Sequence, residues 1–431
     1  MLTSLQAITN KSRRDKKHRF QNLARSLNED FLLDSWRSMN RKAATGIDKV
    51  TVQEYEKNLK RNVANLVTDC RENRYRAKLV KRVFIPKAGG GQRPLGLPAT
   101  EDKLLQTGVS RILNAIYEED FLPSSFGYRP KTGARKALQY LTRSVQFGRF
   151  TYVVDADIKG FFDNIDHDWL IKMLEVRIDD KRFIRLIRKW LKAGILHPDG
   201  STANPVTGTP QGGIVSPVLA NIYLHYALDL WFEKVVKPAC SGDVFICRYA
   251  DDFVCAFQYA RDAERFYRAL GKRLEKFGLS LAQDKTKIIK FSRFHKGKTS
   301  FDFLGFEFRW GVNRKGNDYL RRRTSVKKFR ESLVKFKEWI RKSRNFRLRK
   351  LCDLLNAKLR GYYNYYGLIG NFESLKRFYF RAMVILYKWL NRRSQRRSFN
   401  YEEFNRALKR YQILTPRITE TQNRQLSFLP S

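Results

Sequence analysis

The chain has 431 residues, and a hydrophobic content of 42% gives it enough apolar material for two or three folded domains rather than a disordered polyelectrolyte. Its 86 Lys and Arg against 42 Asp and Glu leave a formal net charge of +44, which points to a polyanionic partner, nucleic acid first. Five scattered cysteines with no Cys-x-x-Cys argue against a disulfide framework or zinc knuckle, and the lack of a lipidation motif or of an apolar run near ~18 residues argues against a membrane partner.

The polar, basic N-terminus has no apolar stretch of the kind that directs secretion. Residues 1–18 read as a basic arm, either a frayed terminus or a phosphate contact. Phe20, Leu23, Leu27, Phe31, Trp36 and Met39 then recur at helical spacing. Thr51, with Glu54 three residues on, predicts the capped start of a helix reaching about Asn73. Lys78–Pro98 reads as two strands around Gly89-Gly90-Gly91, and with Lys87 and Arg93 beside it such a turn can fold over phosphates. Helices are predicted over Glu101–Tyr117 and Thr132–Gln146, with a turn-rich loop, Ser125–Pro130, between them.

Tyr152–Ile158 is a strand pattern ending in acids. Asp155 and Asp157 share one face, so alternation does not choose between them. Asp168–Ala193 reads as a basic helical hairpin, and Gly208–Gly213 as a tight loop feeding a helix over about 217–235. Two apolar runs, Phe245-Ile246-Cys247 and Phe253–Phe257, flank Arg248-Tyr249-Ala250-Asp251-Asp252 and predict a hairpin with adjacent carboxylates at its turn. An ordinary solvated turn is the plain reading. The alternative is a cation site, because paired carboxylates repel and lose water unless a positive ion sits between them. If the strand ending in Asp157 neighbours this hairpin, three carboxylates can surround two Mg²⁺ ions, the arrangement that in-line phosphoryl transfer needs.

Ala263–Phe277 is predicted helical, Leu279–Phe291 carries Lys285, and Phe301–Trp310 is an apolar strand. Residues 320–431 carry 29 Lys and Arg against 7 Asp and Glu, half of the chain's net charge. Apolar positions there keep helical spacing: Leu333, Phe336, Trp339 and Ile340; Leu351, Leu354, Leu355 and Leu359; Phe378, Met383, Leu386 and Leu390. Three helices with a solvated basic back account for most of this. Arg392, Arg393, Arg396 and Arg397 have no acidic neighbour and are the candidate RNA contacts.

Seven segments in order resemble the reverse transcriptase/maturase proteins encoded by bacterial group II introns. They are Gly46-Ile47-Asp48; Ile85-Pro86-Lys87 with Gly89–Gly96; Ser125–Pro130; Asp155–His167; Gly208–Pro217; Tyr249–Asp252; and Phe303–Phe306. The resemblance covers nearly the whole chain. It implies an α+β right-hand polymerase: a basic arm and helical extension over residues 1–75, fingers and palm with a small antiparallel sheet over 76–312, and an α-helical thumb/maturase domain over 313–431. It implies RNA-directed DNA synthesis with two Mg²⁺ ions on Asp157, Asp251, Asp252 and the Ile158 carbonyl. By the same resemblance Lys87 and Arg93 grip the incoming deoxynucleoside triphosphate and Gln211 meets the nascent base pair and template. Lys285 lies near the leaving pyrophosphate, and Phe162, with Phe161 as the neighbouring alternative, is the aromatic gate against a 2′-hydroxyl. Family members commonly have Asn where this chain has Ala282.

The implied partners are an RNA template, the host intron RNA and a DNA primer or target, in a bacterial cytoplasm. A polymerase serving a host or defence role without an intron, and a non-catalytic RNA-binding splicing factor, are the competing readings.

Overall fold

The computed structural model describes residues 2–86, 90–209, 211–294, 299–313, 315–393 and 398–421. Among the described residues it is a mixed α and β protein with three small sheets. The strands are β1 (Val80–Pro86), β2 (Gln92–Leu97), β3 (Tyr152–Ala156), β4 (Ile195–Leu196), β5 (Thr202–Ala203), β6 (Val244–Tyr249), β7 (Asp252–Phe257), β8 (Lys287–Lys290), β9 (Phe301–Phe303), β10 (Phe306–Val312) and β11 (Asp318–Thr324). They are ordered β2-β1-β4-β5, β6-β7-β3-β8 and β11-β10-β9. The chain divides into two compact units, residues 1–144 with 148–288 and residues 145–147 with 289–431. No helix among the described residues is long and apolar enough to cross a membrane.

The first unit is built around the helix Thr100–Tyr117. Leu104, Leu105, Val109, Ile112, Leu113 and Ile116 are all fully buried, because neighbours cover the helix on more than one side. Each such side chain stabilises the fold by roughly 1.5–3 kcal/mol over leaving it in water. The helix Glu29–Arg37 packs on it closely enough that a Cβ on Gly108 would lie 3.0 Å from Leu32.

The N-terminal arm is a correction to the sequence reading. Leu2–Arg14 is a helix docked on Thr100–Tyr117. Its Ser12 is fully buried; the hydroxyl donates to the Ile116 carbonyl at 2.8 Å and accepts from Arg177 Nη2 at 2.5 Å. Arg13 forks onto Glu119 with bonds of 3.1 and 2.9 Å. These polar anchors act beside Leu5 and Ile8, which pack against the core of the first unit.

The Thr51 capping box forms, with Glu54 N on Thr51 Oγ1 at 3.1 Å and Thr51 N on Glu54 Oε2 at 2.7 Å. The predicted single helix beyond it is instead two, Val52–Lys57 and Leu59–Arg71, broken at Asn58. Under the first sheet Asp102, 2% exposed, accepts from Tyr75 Oη at 2.5 Å and Lys78 N at 3.1 Å, and Trp190 Nε1 donates to Tyr75 Oη at 2.7 Å. These donors satisfy a carboxylate that burial pushes up to about 6.

The second unit contains the meander β9-β10-β11, a finer division than the single strand expected over Phe301–Trp310. Leu304 and Gly305, both at positive φ, form the turn that splits it. Helices Val326–Ser343, Leu348–Tyr366, Phe372–Leu390 and Tyr401–Arg410 follow, the last unforeseen. Phe336, Ile340, Leu355, Leu359, Phe378, Leu386 and Phe404 share one core, with Tyr362 stacked on Phe378 at 3.7 Å between ring centroids. Leu354, expected in that core, is 37% exposed. Arg322 and Glu420 are a buried forked pair with bonds of 2.9 and 3.2 Å.

Candidate active site

Pairing of Tyr249 with Asp252 makes β6 and β7 a hairpin whose turn is Ala250-Asp251. Aromatic and β-branched residues fill both strands, as a half-buried pleated surface favours. Ala250 has φ 57, a left-handed conformation that costs a non-glycine residue roughly 1–2 kcal/mol. Neighbours hold it there. Ser125 bridges Arg248 in parallel, Arg248 N donates to the Ser124 carbonyl at 2.9 Å, and Phe126 N donates to the Arg248 carbonyl at 2.9 Å. Gly127 lies so close behind the turn that a Cβ there would be 2.2 Å from Ala250 N.

β3 pairs antiparallel with β7, setting Ala156 opposite Phe253. Asp157 is the next residue after that last pair and its charge acts on Asp252 at the turn, while Asp155 pairs with Val254 further in. On the other side of the strand Ala282 N donates to the Asp157 carbonyl at 2.9 Å, Ile158 bridges Leu281, and Lys159 N donates to the Ser280 carbonyl at 2.9 Å. Ala282 thus meets Asp157 through its backbone.

The carboxylates feel one another. Loss of hydration in the cleft, then the charges of Asp251, Asp157 and Asp155, push Asp252 up to about 6. Asp252 nonetheless keeps solvent-exposed surface, as a carboxylate open to a ligand must. Asp251 is raised for the same two reasons, desolvation first and Asp157 next. Lys285 is in direct contact with the group: its Nζ lies 2.8 Å from Asp157 Oδ2, an ion pair that raises the lysine in turn. Among the described residues no three acidic, His or Cys side chains are closed into a metal cage. The donor chemistry fits a hard divalent cation: oxygen ligands, excess negative charge, and solvent access at Asp252.

Gly160, at φ 54, turns the chain after β3 into the short 3₁₀ segment Phe161–Asp163. Both phenylalanines are buried, and they point to different neighbours. Phe161 packs with Tyr223 at 6.4 Å, whereas Phe162 stands edge-on to Tyr128 at 6.2 Å and 78°. Desolvation, then the charge of Asp251, raises the Tyr128 phenol, which places it in electrostatic reach of the turn.

The glycine loop seats against this wall. Gly208 N donates to the Ile165 carbonyl and Thr209 N to the Phe162 carbonyl, both at 2.8 Å. His167 Nε2 meets the Gly208 carbonyl at 2.7 Å. Gly208 has φ +88, and a Cβ there would be 2.8 Å from the Asp163 carbonyl, so this position requires glycine. The loop also docks on β2. Gly96 N donates to the Gln211 carbonyl at 2.6 Å, and Arg93 Nε donates to Gln211 Oε1 at 2.8 Å. Arg93 and Gln211 therefore form one contact, and Arg93 exerts a lowering influence on Asp251. Lys87 lies outside the described residues.

In the second unit Arg392 lies over the Trp389 ring at 5.9 Å and is exposed. Arg393 is half-buried, with Nε and Nη2 unpartnered among the described residues, and burial lowers its guanidinium from the usual range. Arg396 and Arg397 lie outside the described residues.

Sequence reasoning passed over Asp229, Asn221 and Tyr128. The available signal was Arg248 itself, a cation set in an apolar strand, which demands a buried acid.

The sequence profile of the family described as Reverse transcriptase (RNA-dependent DNA polymerase) matches residues 85–308. That span contains β3, the glycine loop and the β6–β7 hairpin. Group II intron-encoded protein LtrA of Lactococcus lactis subsp. cremoris is 28% identical over 402 residues, covering 73% of this chain and 65% of LtrA. Protein YkfC of Escherichia coli is 31% identical over 276 residues, 56% of this chain and 71% of YkfC. The uncharacterized 91 kDa protein in cob intron of Schizosaccharomyces pombe is 45% identical over 155 residues, 36% of this chain and 19% of that protein. The chain thus spans less than two thirds of the length of LtrA.

Proposed function

The chain belongs to the reverse transcriptase (RNA-dependent DNA polymerase) family, and from that premise we propose that it copies RNA into DNA and assists the splicing of a host group II intron. The observation that supports the catalytic part is the pairing of β3 with β7, which ends one residue short of Asp157, together with the charge of Asp157 acting on Asp251 and Asp252 at the turn. Reverse transcriptases use divalent metal ions. Two Mg²⁺ ions held by Asp157, Asp251, Asp252 and the Ile158 carbonyl would supply charge neutralisation at the attacking and leaving oxygens of phosphoryl transfer.

The chain's own side chains supply the rest. Lys285, now paired with Asp157, is in contact with the carboxylates and is suited to the charge of a departing pyrophosphate. Arg93 and Gln211, already bonded to each other, form a polar corner for the triphosphate and the nascent base pair, and Lys87 is assigned beside them. Phe162, with Tyr128 against its ring, supplies bulk on the sugar side, where a gate acts by volume.

The maturase part rests on similarity to LtrA, an intron-encoded protein, and on the charge of residues 320–431. In this reading residues 76–312 are fingers and palm, residues 313–431 are thumb and maturase domain, and residues 1–75 extend the fingers. The partners are RNA template and intron RNA, a DNA primer and deoxynucleoside triphosphates. Extension of a DNA primer on an RNA template in Mg²⁺, compared between wild type and Asp251→Ala, tests the catalytic part. A wild-type protein that binds RNA and extends nothing would leave the splicing-factor reading in its place.

A further inference from the structure

We infer that Arg248 is a positioning residue for the carboxylate turn, clamped by Asp229 and Asn221 so that its fork fixes the left-handed Ala250. The inference rests on the catalytic reading above and adds residues that reading does not use.

Arg248 is 0% exposed, and Asp229, Asn221 and Ser125 are each 1% exposed. All of the guanidinium nitrogens are engaged. Nε donates to Asp229 Oδ1 at 2.7 Å and Nη2 to Asp229 Oδ2 at 2.5 Å. Nη2 also donates to Ser125 Oγ at 2.7 Å, and Nη1 to Asn221 Oδ1 at 3.1 Å. The remaining bond runs from Nη1 to the Ala250 carbonyl at 2.9 Å. Asn221 then reaches the turn a second way: its Nδ2 donates at 2.6 Å to the carbonyl of Gly127, the residue packed behind Ala250 N. Both sides of the strained residue are thus tied to one helix.

That helix is shaped for the purpose. Asn221 and Asp229 are eight residues apart, which on an unbroken α-helix leaves them about 80° out of line. The α-helix Ser216–Leu224 passes into a π-helical segment, His225–Asp229. The wider turn rotates less per residue and brings the two side chains onto one face. A buried ion pair is a weak source of stability, since well-packed apolar residues commonly do as well. Retaining a forked cation and a π segment is accounted for by the orientation they impose on Ala250, and through it on Asp251 and Asp252.

Arg248→Lys keeps the charge and loses the fork; Asn221→Ala removes the tie to Gly127. Each is compared with wild type and with Leu113→Ala, a core variant in the helix Thr100–Tyr117 that controls for lost stability. Three quantities are measured: thermal midpoint, Mg²⁺ dependence of single-turnover primer extension, and Mn²⁺ binding by electron paramagnetic resonance without nucleic acid. A misplacement near 1 Å costs roughly a hundredfold in rate. Both site variants are therefore expected to lose tenfold or more in rate, to need several-fold more Mg²⁺ and to bind Mn²⁺ more weakly. Leu113→Ala is expected to lose thermal stability only. Unchanged Mg²⁺ dependence and Mn²⁺ affinity in Arg248→Lys and Asn221→Ala would overturn the inference. Wild-type protein that extends no primer while the variants still lose Mn²⁺ would sustain the clamp and overturn the catalytic reading instead.

Discussion

Phe162 stands edge-on to Tyr128, ring centroids 6.2 Å apart, while its neighbour Phe161 packs on Tyr223. The two residues are adjacent and both buried, so their neighbours decide their roles. Both lie in the core of the first unit, but Tyr128 is in the field of Asp251, which supports the proposal of Phe162 as the gate. Phe162→Ala or Phe162→Val is expected to raise ribonucleotide use relative to deoxynucleotide use by about tenfold or more, a difference of about 1.4 kcal/mol. Phe161→Ala is expected to cost about 3–5 kcal/mol of stability with little change in sugar choice. Paired incorporation assays and melting curves check this; a selectivity change confined to Phe161 would move the gate by one residue.

Asp251→Ala removes one carboxylate from the turn. Primer extension should drop by several orders of magnitude, each tenfold being about 1.4 kcal/mol of barrier. RNA binding and any splicing activity should persist, because they depend on basic surface rather than on the acids. Splicing of the cognate intron, assayed beside extension, separates the two; equal loss of both would tie splicing to the polymerase site.

Asp252 sets a pH dependence with a definite sign. Its folded value of about 6 lies above the ordinary carboxylate value of about 4. Below about pH 4 the group is protonated in both folded and unfolded chains, and the cost of holding a charge beside Asp251 and Asp157 is absent. Metal-free stability should therefore fall as pH rises from about 4 through about 6. Asp252→Asn removes that loss, so it should melt higher than wild type at pH 7 and not at pH 4. Activity runs the other way. Only the ionised group holds a cation, so extension should fail as pH drops, and more Mg²⁺ should push the acid limb lower. A limb that ignores Mg²⁺ concentration would assign the titration to another group.

Charge in the second unit divides into internal and outward parts. Arg322 is spent on Glu420, and Arg323 on Glu307 with two bonds of 2.9 Å. Arg322→Gln leaves Glu420 buried without its cation, although Ile369 N still donates to it at 2.7 Å, and should destabilise the unit by about 3–5 kcal/mol. Replacing Arg392, Arg393, Arg396 and Arg397 by Gln should instead weaken RNA binding and flatten its salt dependence. Each phosphate contact contributes a slope of roughly −0.9 on duplex or −0.7 on single strands, so the change is at most about 3.6 units on duplex and about 2.8 on single strands. Salt titrations read this directly, and an unaltered slope would assign the run to a solvated face.

The parts of this fold that were legible in the sequence are those written in local pattern. The β6–β7 hairpin announced itself by two aromatic-rich apolar runs around Tyr249–Asp252, and the Thr51–Glu54 capping box by two residues three apart. What stayed hidden depends on partners far away in sequence. Ser12 looks like part of a polar arm until Ile116 and Arg177 surround it. Arg322 looks like one of three exposed arginines until Glu420 is folded back on it. Ala250 gives no hint of positive φ, because its conformation is imposed by Gly127 and Arg248 rather than chosen by its side chain. The break at Asn58 is hidden because the apolar spacing continues across it.

The position of β3 between β7 and β8 governs how the protein emerges from the ribosome. β3 is synthesised first, yet both of its edges stay open until roughly a hundred further residues are made, which takes about 5–20 s at typical elongation rates. During that interval Val153 and Val154, which end up buried, face water on a strand with free backbone donors and acceptors, the state most prone to aggregation. Slower translation downstream of residue 157 lengthens that exposure, and a chaperone that holds extended apolar segments shortens its consequences. Yield in expression should therefore respond to codon choice between β3 and β7 more than to codon choice after β8.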